Sequence, residues 1–101
     1  FWDDNKLPPL PDLPAPPTKV IVQKQSNTTM KVSWNNNSPD AKFMYVERRV
    51  NGADWEFWGY ITTTQDYMLD YDLPVESNKY EYRIAARNAA GLSSFASTSG
   101  N

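Results

Sequence analysis

The 101-residue sequence predicts an all-β fold, a seven-stranded antiparallel sandwich preceded by a proline-rich segment. Apolar residues alternate at Tyr80, Tyr82, Ile84 and Ala86, the period-2 pattern of a strand buried on one face. Turn signals recur roughly every eight to twelve residues, the spacing of short sandwich strands. No stretch carries a convincing helical period, so helices are not expected.

The first strand is expected over 19–25, with Val20 and Val22 on one face, and Ser26-Asn27-Thr28 turns the chain. The second covers 29–34 and directs Met30, Val32 and Trp34 inward, which makes Trp34 the candidate core tryptophan. The polar loop Asn35-Asn36-Asn37-Ser38-Pro39-Asp40 leads to a third strand over 42–50, whose apolar residues occur on both parities. Asn51-Gly52 is the strongest hairpin signal, because both residue types accept positive φ. A fourth strand is expected over 55–62 and a weaker fifth over 67–73. Pro74-Val75-Glu76-Ser77-Asn78 forms a corner loop before the sixth strand, 79–88. Asn88-Ala89-Ala90-Gly91 turns again, and the seventh strand covers 93–98.

The chain has two compositional zones. Residues 1–17 hold six of the eight prolines. Pro8, Pro11, Pro14 and Pro17 recur every third residue, and so do Leu7, Leu10 and Leu13. A polyproline II helix has about three residues per turn, so each set lines one edge. Residues 1–13 are read as a stiff linker or the tail of a preceding domain, 14–98 as the folded domain and 99–101 as a C-terminal tail. Leu7-Pro8-Pro9-Leu10-Pro11 matches the apolar frame that SH3-type domains dock, but Lys6 is one residue out of register for the flanking cation. A third option is that the Leu edge packs back onto the domain.

Landmarks recur in order. Pro16-Pro17 precedes Val20 and Val22. Val32-Ser33-Trp34 follows, and then Val46-Glu47-Arg48-Arg49 with a Gly before Trp55. Leu73 stands seven residues before Tyr80, which opens Tyr80-Glu81-Tyr82-Arg83-Ile84-Ala85-Ala86-Arg87-Asn88-Ala89-Ala90-Gly91. Together these resemble the fibronectin type III family over residues 14–98. The resemblance implies an immunoglobulin-like sandwich with Trp34 in its core. It also implies a tyrosine corner at Leu73 and Tyr80, in which the phenol hydrogen-bonds upstream backbone. Met44 departs from the pattern, standing where an aromatic is usual. Residues 88–91 contain no Arg-Gly-Asp, so the integrin binding of one family member does not carry over. The implied role is a module of a larger protein that spaces neighbours and binds protein, as in cell adhesion or a receptor ectodomain. The alternatives are an accessory spacer in a secreted bacterial carbohydrate-active enzyme and a module of an intracellular muscle-type repeat protein.

The charge balance narrows the partners. The net charge of −2 arises within residues 1–17, where Asp3, Asp4 and Asp12 oppose Lys6. A nucleic-acid or anionic-membrane surface would need a basic excess. No apolar run is long enough for a membrane-spanning helix. Cysteine and histidine are both absent. That removes a disulfide framework, most zinc sites, the commonest general base and the usual triads. No phosphate loop is present. Asp66, Asp70 and Asp72 cluster before the corner, but a hard cation needs about six to eight oxygens. They are read as solvated edge charges. The expectation is a protein without catalytic residues, metal or cofactor.

Strand parity proposes a face. With Tyr80 to Ala86 inward, Lys79, Glu81, Arg83, Ala85 and Arg87 point outward, beside Tyr45, Glu47 and Arg49 of the third strand. On the fourth strand Trp58 and Tyr60 share the outward parity, opposite to Trp55 and Phe57. Tyr45, Arg49, Trp58, Tyr60, Arg83 and Arg87 are therefore the candidate protein-binding face, since Trp, Tyr and Arg are enriched in hot spots. A ladder that merely supports the sheet and a carbohydrate-stacking surface are the alternatives. The expected partners are proteins or neighbouring domains of the same chain, without nucleic acid or membrane insertion. Asn27-Thr28-Thr29 and Asn36-Asn37-Ser38 read as sequons on turns, so Asn27 and Asn36 are candidate N-glycosylation sites. Pro39 lowers the use of the second. The sequons fit an extracellular or cell-surface location, and an intracellular one stays open.

Overall fold

A computed structural model describes residues 11–98. The expectations for Leu7, Pro8, Pro9 and Leu10, and for the tail 99–101, lie outside the described residues. The strands are β1 (Thr18–Ser26), β2 (Thr29–Asn35), β3 (Phe43–Val50), β4 (Glu56–Thr62), β5 (Tyr67–Asp70), β6 (Tyr80–Asn88), β7 (Gly91–Leu92) and β8 (Ala96–Ser97). They form two antiparallel sheets, one ordered β1-β2-β5 and the other β4-β3-β6-β7, with β8 also paired to β6.

The core lies between the sheets and follows the alternation. Val20, Val22, Val32 and Trp34 from the first sheet meet Met44, Val46, Tyr82, Ile84 and Ala86 from the second. Burying a side chain of this size contributes about 1.5–3 kcal/mol. Trp34 is buried as expected, and its indole N–H finds no acceptor among the described residues. The Asn51-Gly52 turn takes φ of 56° and 74°, the doubly positive conformation that suits strand twist. Asn51 also ties the hairpin to the corner loop. Its backbone N–H donates to Lys79 O, and its Oδ1 accepts from Lys79 N, both at 2.8 Å.

The closing strand differs from expectation. Instead of one strand over 93–98, two short pieces flank residues 93–95. Side-chain hydroxyls take the place of ladder partners there. Ser93 Oγ accepts from Ala86 N at 2.9 Å, and Thr98 Oγ1 accepts from Tyr82 N at 3.3 Å. The backbone amides of β6 therefore stay bonded without a continuous neighbour.

Asp70 also corrects the sequence reading. It is a buried group rather than a solvated edge charge. Tyr82 Oη donates to its Oδ2 at 2.6 Å, and Arg48 Nη1 donates to the same oxygen at 2.8 Å.

The proline segment is fastened to one pole. Asn88 Nδ2 donates to Asp12 O at 2.7 Å, and Asn37 Nδ2 donates to Pro16 O at 3.1 Å. Pro14 and Pro17, three residues apart, are buried, whereas Leu13 is 60% exposed. At these positions the proline edge is buried, while Leu13 stays largely exposed with its side chain beside Gly91.

Candidate functional site: the aromatic face of the second sheet

A one-residue irregularity in β4 decides which aromatics share a face. Tyr45 pairs with Tyr60 and Val46 with Gly59, but Glu47 pairs with Phe57. Trp58 is the extra residue of a β-bulge. Past a bulge the side-chain parity reverses, so Phe57 and Tyr60 point to the same outer face although three residues separate them. Trp58 instead turns inward and packs against the core. This overturns the placement of Trp58 at the centre of the outer face, which assumed unbroken alternation along the fourth strand.

The outer face is built in cross-strand rows. Tyr60 and Tyr45 stand opposite each other, with Ala85 on the far side of Tyr45. Ala85 points outward as expected, yet it is fully covered. Over this part of the sheet lies a layer of rings. Tyr45 meets Phe57, Tyr60 and Phe95 at centroid distances of 5.2, 5.5 and 6.0 Å. Phe43 meets Tyr60 at 5.5 Å. Phe57, Tyr60, Phe43 and Phe95 remain 56%, 47%, 46% and 36% exposed. The interplanar angles run from 37° to 68°, so the rings interlock and do not form a flat platform.

The next rows carry charge. Arg49 makes a bidentate pair with Glu81, Nε to Oε1 at 3.1 Å and Nη2 to Oε2 at 3.0 Å. Arg83 Nε donates to Glu47 Oε1 at 2.6 Å, while Tyr45 Oη donates to Glu47 Oε2 at 3.0 Å. Trp55 lies against both guanidinium groups, 4.6 Å from Arg49 and 4.7 Å from Arg83, and Arg83 lies 4.2 Å from the Phe95 ring. Such cation–π contacts are worth about 0.5–1 kcal/mol each at exposed sites. The Arg49 hydrogen bonds hold the Glu81 carboxyl below the usual range, and desolvation with the Glu47 bond pushes the Tyr45 phenol up.

The structure thus gathers Tyr45, Arg49, Tyr60, Arg83 and Arg87 on one face, as strand parity implied, and removes Trp58. It adds Phe43, Trp55, Phe57 and Phe95. Gly59 was the available signal for Phe57, because a glycine inside a strand pattern often marks a bulge. Phe95 had no such signal, since it lies between two strand fragments.

The other sequence-predicted positions are structural. Leu73 and Tyr80 are buried together at the corner. The Tyr80 hydroxyl meets the Asn78 amide instead of a carbonyl: Asn78 Nδ2 lies 3.4 Å from Tyr80 Oη and 3.4 Å from Pro74 O. The link from phenol to upstream backbone therefore runs through Asn78. Asn27 is exposed on the turn between β1 and β2. Asn36 is also exposed, but its Oδ1 accepts from Ser38 N at 3.0 Å, and Ser38 is buried with its hydroxyl on Asp40 Oδ1 at 2.7 Å. Among the described residues no cluster of acidic side chains has the arrangement of a metal site.

No family model matches the chain. Solved structures do. A fibronectin type III domain of the human collagen alpha-1(XX) chain is similar with a TM-score of 0.75 at 17% identity, over 92% of this chain and 89% of that one. A structure of titin kinase and its flanking domains is similar with a TM-score of 0.72 at 21% identity, over 88% of this chain. A β-1,2-glucanase from Parabacteroides distasonis is similar with a TM-score of 0.65 at 17% identity, over 86% of this chain. The chain spans only 17% and 13% of those last two proteins. Two antiparallel sheets of this strand order, the buried Trp34 and these likenesses agree: the chain has the fold of a fibronectin type III domain.

Proposed function

We propose that this chain is a non-catalytic module of a larger protein, which spaces its neighbours and binds protein through the outer face of the β4-β3-β6 sheet. The supporting observation is the ring layer of Phe43, Tyr45, Phe57, Tyr60 and Phe95. Phe43, Phe57 and Tyr60 are about half exposed and Phe95 about a third, around a partly buried Tyr45, although the adjoining Arg49–Glu81 and Arg83–Glu47 pairs are already formed. A contiguous exposed aromatic patch rimmed by polar groups is a mark of interaction surfaces. The tilted rings favour protein over carbohydrate, which stacks on flat platforms. The sequon at the exposed Asn27 supports an extracellular setting, whereas the second has its Ser38 buried. Similarity to domains of a collagen chain, of a kinase region and of a glucanase supports a role as one module among several. A spacer role in a carbohydrate-active enzyme is the second reading, supported by the glucanase likeness alone.

The test is site-specific photocrosslinking in the parent protein within its own host. A photoreactive phenylalanine analogue at Phe57 is expected to yield discrete protein adducts, and one at Ile21, exposed on the opposite sheet, none. Equal labelling from the two positions, or none from Phe57, would remove the binding role from this face.

A further inference from the structure

We propose that the aromatic face docks an apolar protein segment carrying a single carboxylate, and that Arg87 is the residue that reads this carboxylate. The inference rests on the protein-binding role proposed for the face and names the chemistry of its partner. The chain has four arginines. Three are matched within the domain: Arg48 to Asp70, Arg49 to Glu81 and Arg83 to Glu47. Arg87 has no carboxylate among the described residues. Among the described residues its one side-chain hydrogen bond is Nη1 to Tyr60 Oη, long at 3.4 Å, and it is exposed.

Its setting suits recognition. Arg87 stands opposite Phe43 on β3 and opposite Leu92 on β7, so apolar groups flank it on both sides. A partner that covers the ring layer also takes water from the guanidinium. An uncharged apolar partner would leave it buried and unpaired, which is costly. A basic partner would be repelled. A carboxylate matches the planar donor fork of arginine and gains strength as water leaves. A polyanion such as nucleic acid fits less well, because Glu47 and Glu81 lie on the same face and the chain has no basic excess. The ring layer supplies contact area, and Arg87 supplies register and sign.

The test selects a random dodecapeptide library displayed on phage against the whole 101-residue chain. Enriched peptides are expected to carry Asp or Glu among aliphatic and aromatic residues. A synthetic copy of the strongest should lose binding to a Phe57→Ala/Tyr60→Ala variant. It should bind Arg87→Glu at least about tenfold more weakly, and a Glu-to-Lys version should regain affinity for Arg87→Glu. Arg87→Ala, with an unchanged circular dichroism spectrum, guards against misfolding of the charge-reversed variant. Peptides lost with Phe57→Ala/Tyr60→Ala but indifferent to Arg87→Glu and Arg87→Ala would overturn the role of Arg87 and leave the face standing. Peptides indifferent to the aromatic substitutions would overturn the face itself. Failure to enrich any peptide would overturn both.

Discussion

The Tyr82 hydroxyl and the Asp70 carboxylate meet at 2.6 Å inside the sandwich, and the bond joins β6 of one sheet to β5 of the other. Arg48, from β3, completes the group by donating to the same carboxylate oxygen. A buried carboxylate with two donors among the described residues depends on both, since water does not readily replace either.

The three partners are not equivalent. Arg48→Met strands the Asp70 charge and is expected to cost about 3–5 kcal/mol. Tyr82→Phe keeps the ring and the Arg48 pair, so about 1.5–3 kcal/mol is expected from one hydrogen bond to a charged group. Arg48→Met/Asp70→Leu removes both charges and should recover most of the first loss. Urea midpoints at neutral pH give the order. Equal midpoints for Arg48→Met and Tyr82→Phe would mean that Asp70 is not held as a buried charge.

The pH dependence has two arms. Hydrogen bonds from Arg49 lower Glu81, and those from Ser38 and Asn88 lower Asp40, below ordinary values of 4.5 and 3.8. The folded chain therefore binds these protons less readily than the unfolded chain. Their contribution is present above about pH 4.5 and is lost as pH falls through that value and below. Burial and Asp70 raise the Tyr82 phenol far above its ordinary 10.0, so its contribution is present below pH 10 and is lost as pH climbs past it. Melting temperature is expected to be level between roughly pH 6 and 9 and to fall on both sides. Glu81→Gln should flatten the acid arm and Tyr82→Phe the alkaline arm. A Tyr82→Phe curve parallel to wild type above pH 10 would contradict the assignment.

The bulge sets a clear order for two tryptophans. Trp58 packs on the core, so Trp58→Ala is expected to cost about 3 kcal/mol, the low end for a large buried aromatic. Trp55 lies outside between Arg49 and Arg83, and Trp55→Ala should cost about 1–2 kcal/mol from two cation–π contacts. Thermal or urea melts distinguish them. If Trp55→Ala is the more damaging, β4 has the unbulged register.

The N-terminal fastening is testable by truncation. Asn88 serves Asp12, Asp40 and Ala90 with one side chain, so Asn88→Ala is expected to cost about 1–3 kcal/mol. A chain beginning at Pro11 should melt with the full chain. One beginning at Thr18 loses buried Pro14 and Pro17 and should melt several degrees lower. Identical melts for both would place the domain boundary after Pro17 instead of the proposed residue 14.

Much of this molecule is readable from residue order. The alternation from Tyr80 to Ala86 fixed the central strand, because one parity is wholly apolar and the other carries charge. Asn51-Gly52 did the same for the hairpin, since few other pairs tolerate both positive φ values. β4 was harder to read. Trp55, Phe57, Trp58 and Tyr60 offer aromatics to both sides, so pattern alone could not orient them, and only the paired strand reveals the extra residue. Asp70 was misread for a related reason. Its partners Arg48 and Tyr82 are 22 and 12 residues away, and sequence shows no such proximity. Phe95 joined the face through tertiary folding of a segment with little regular structure.

The bulge has a further consequence for how the protein behaves in a crowd. Among the described residues β4 lies at the free rim of its sheet, and residues 57–61 read Phe-Trp-Gly-Tyr-Ile without a charge. A flat rim of that composition is a template on which another chain can add a strand, the first step toward fibrils. The extra residue at Trp58 breaks the even row of unpaired amides and carbonyls and twists the rim away from a straight partner. The kink that sorts the aromatics between core and surface thus also makes this edge a poorer template for an added strand than a straight one of the same composition.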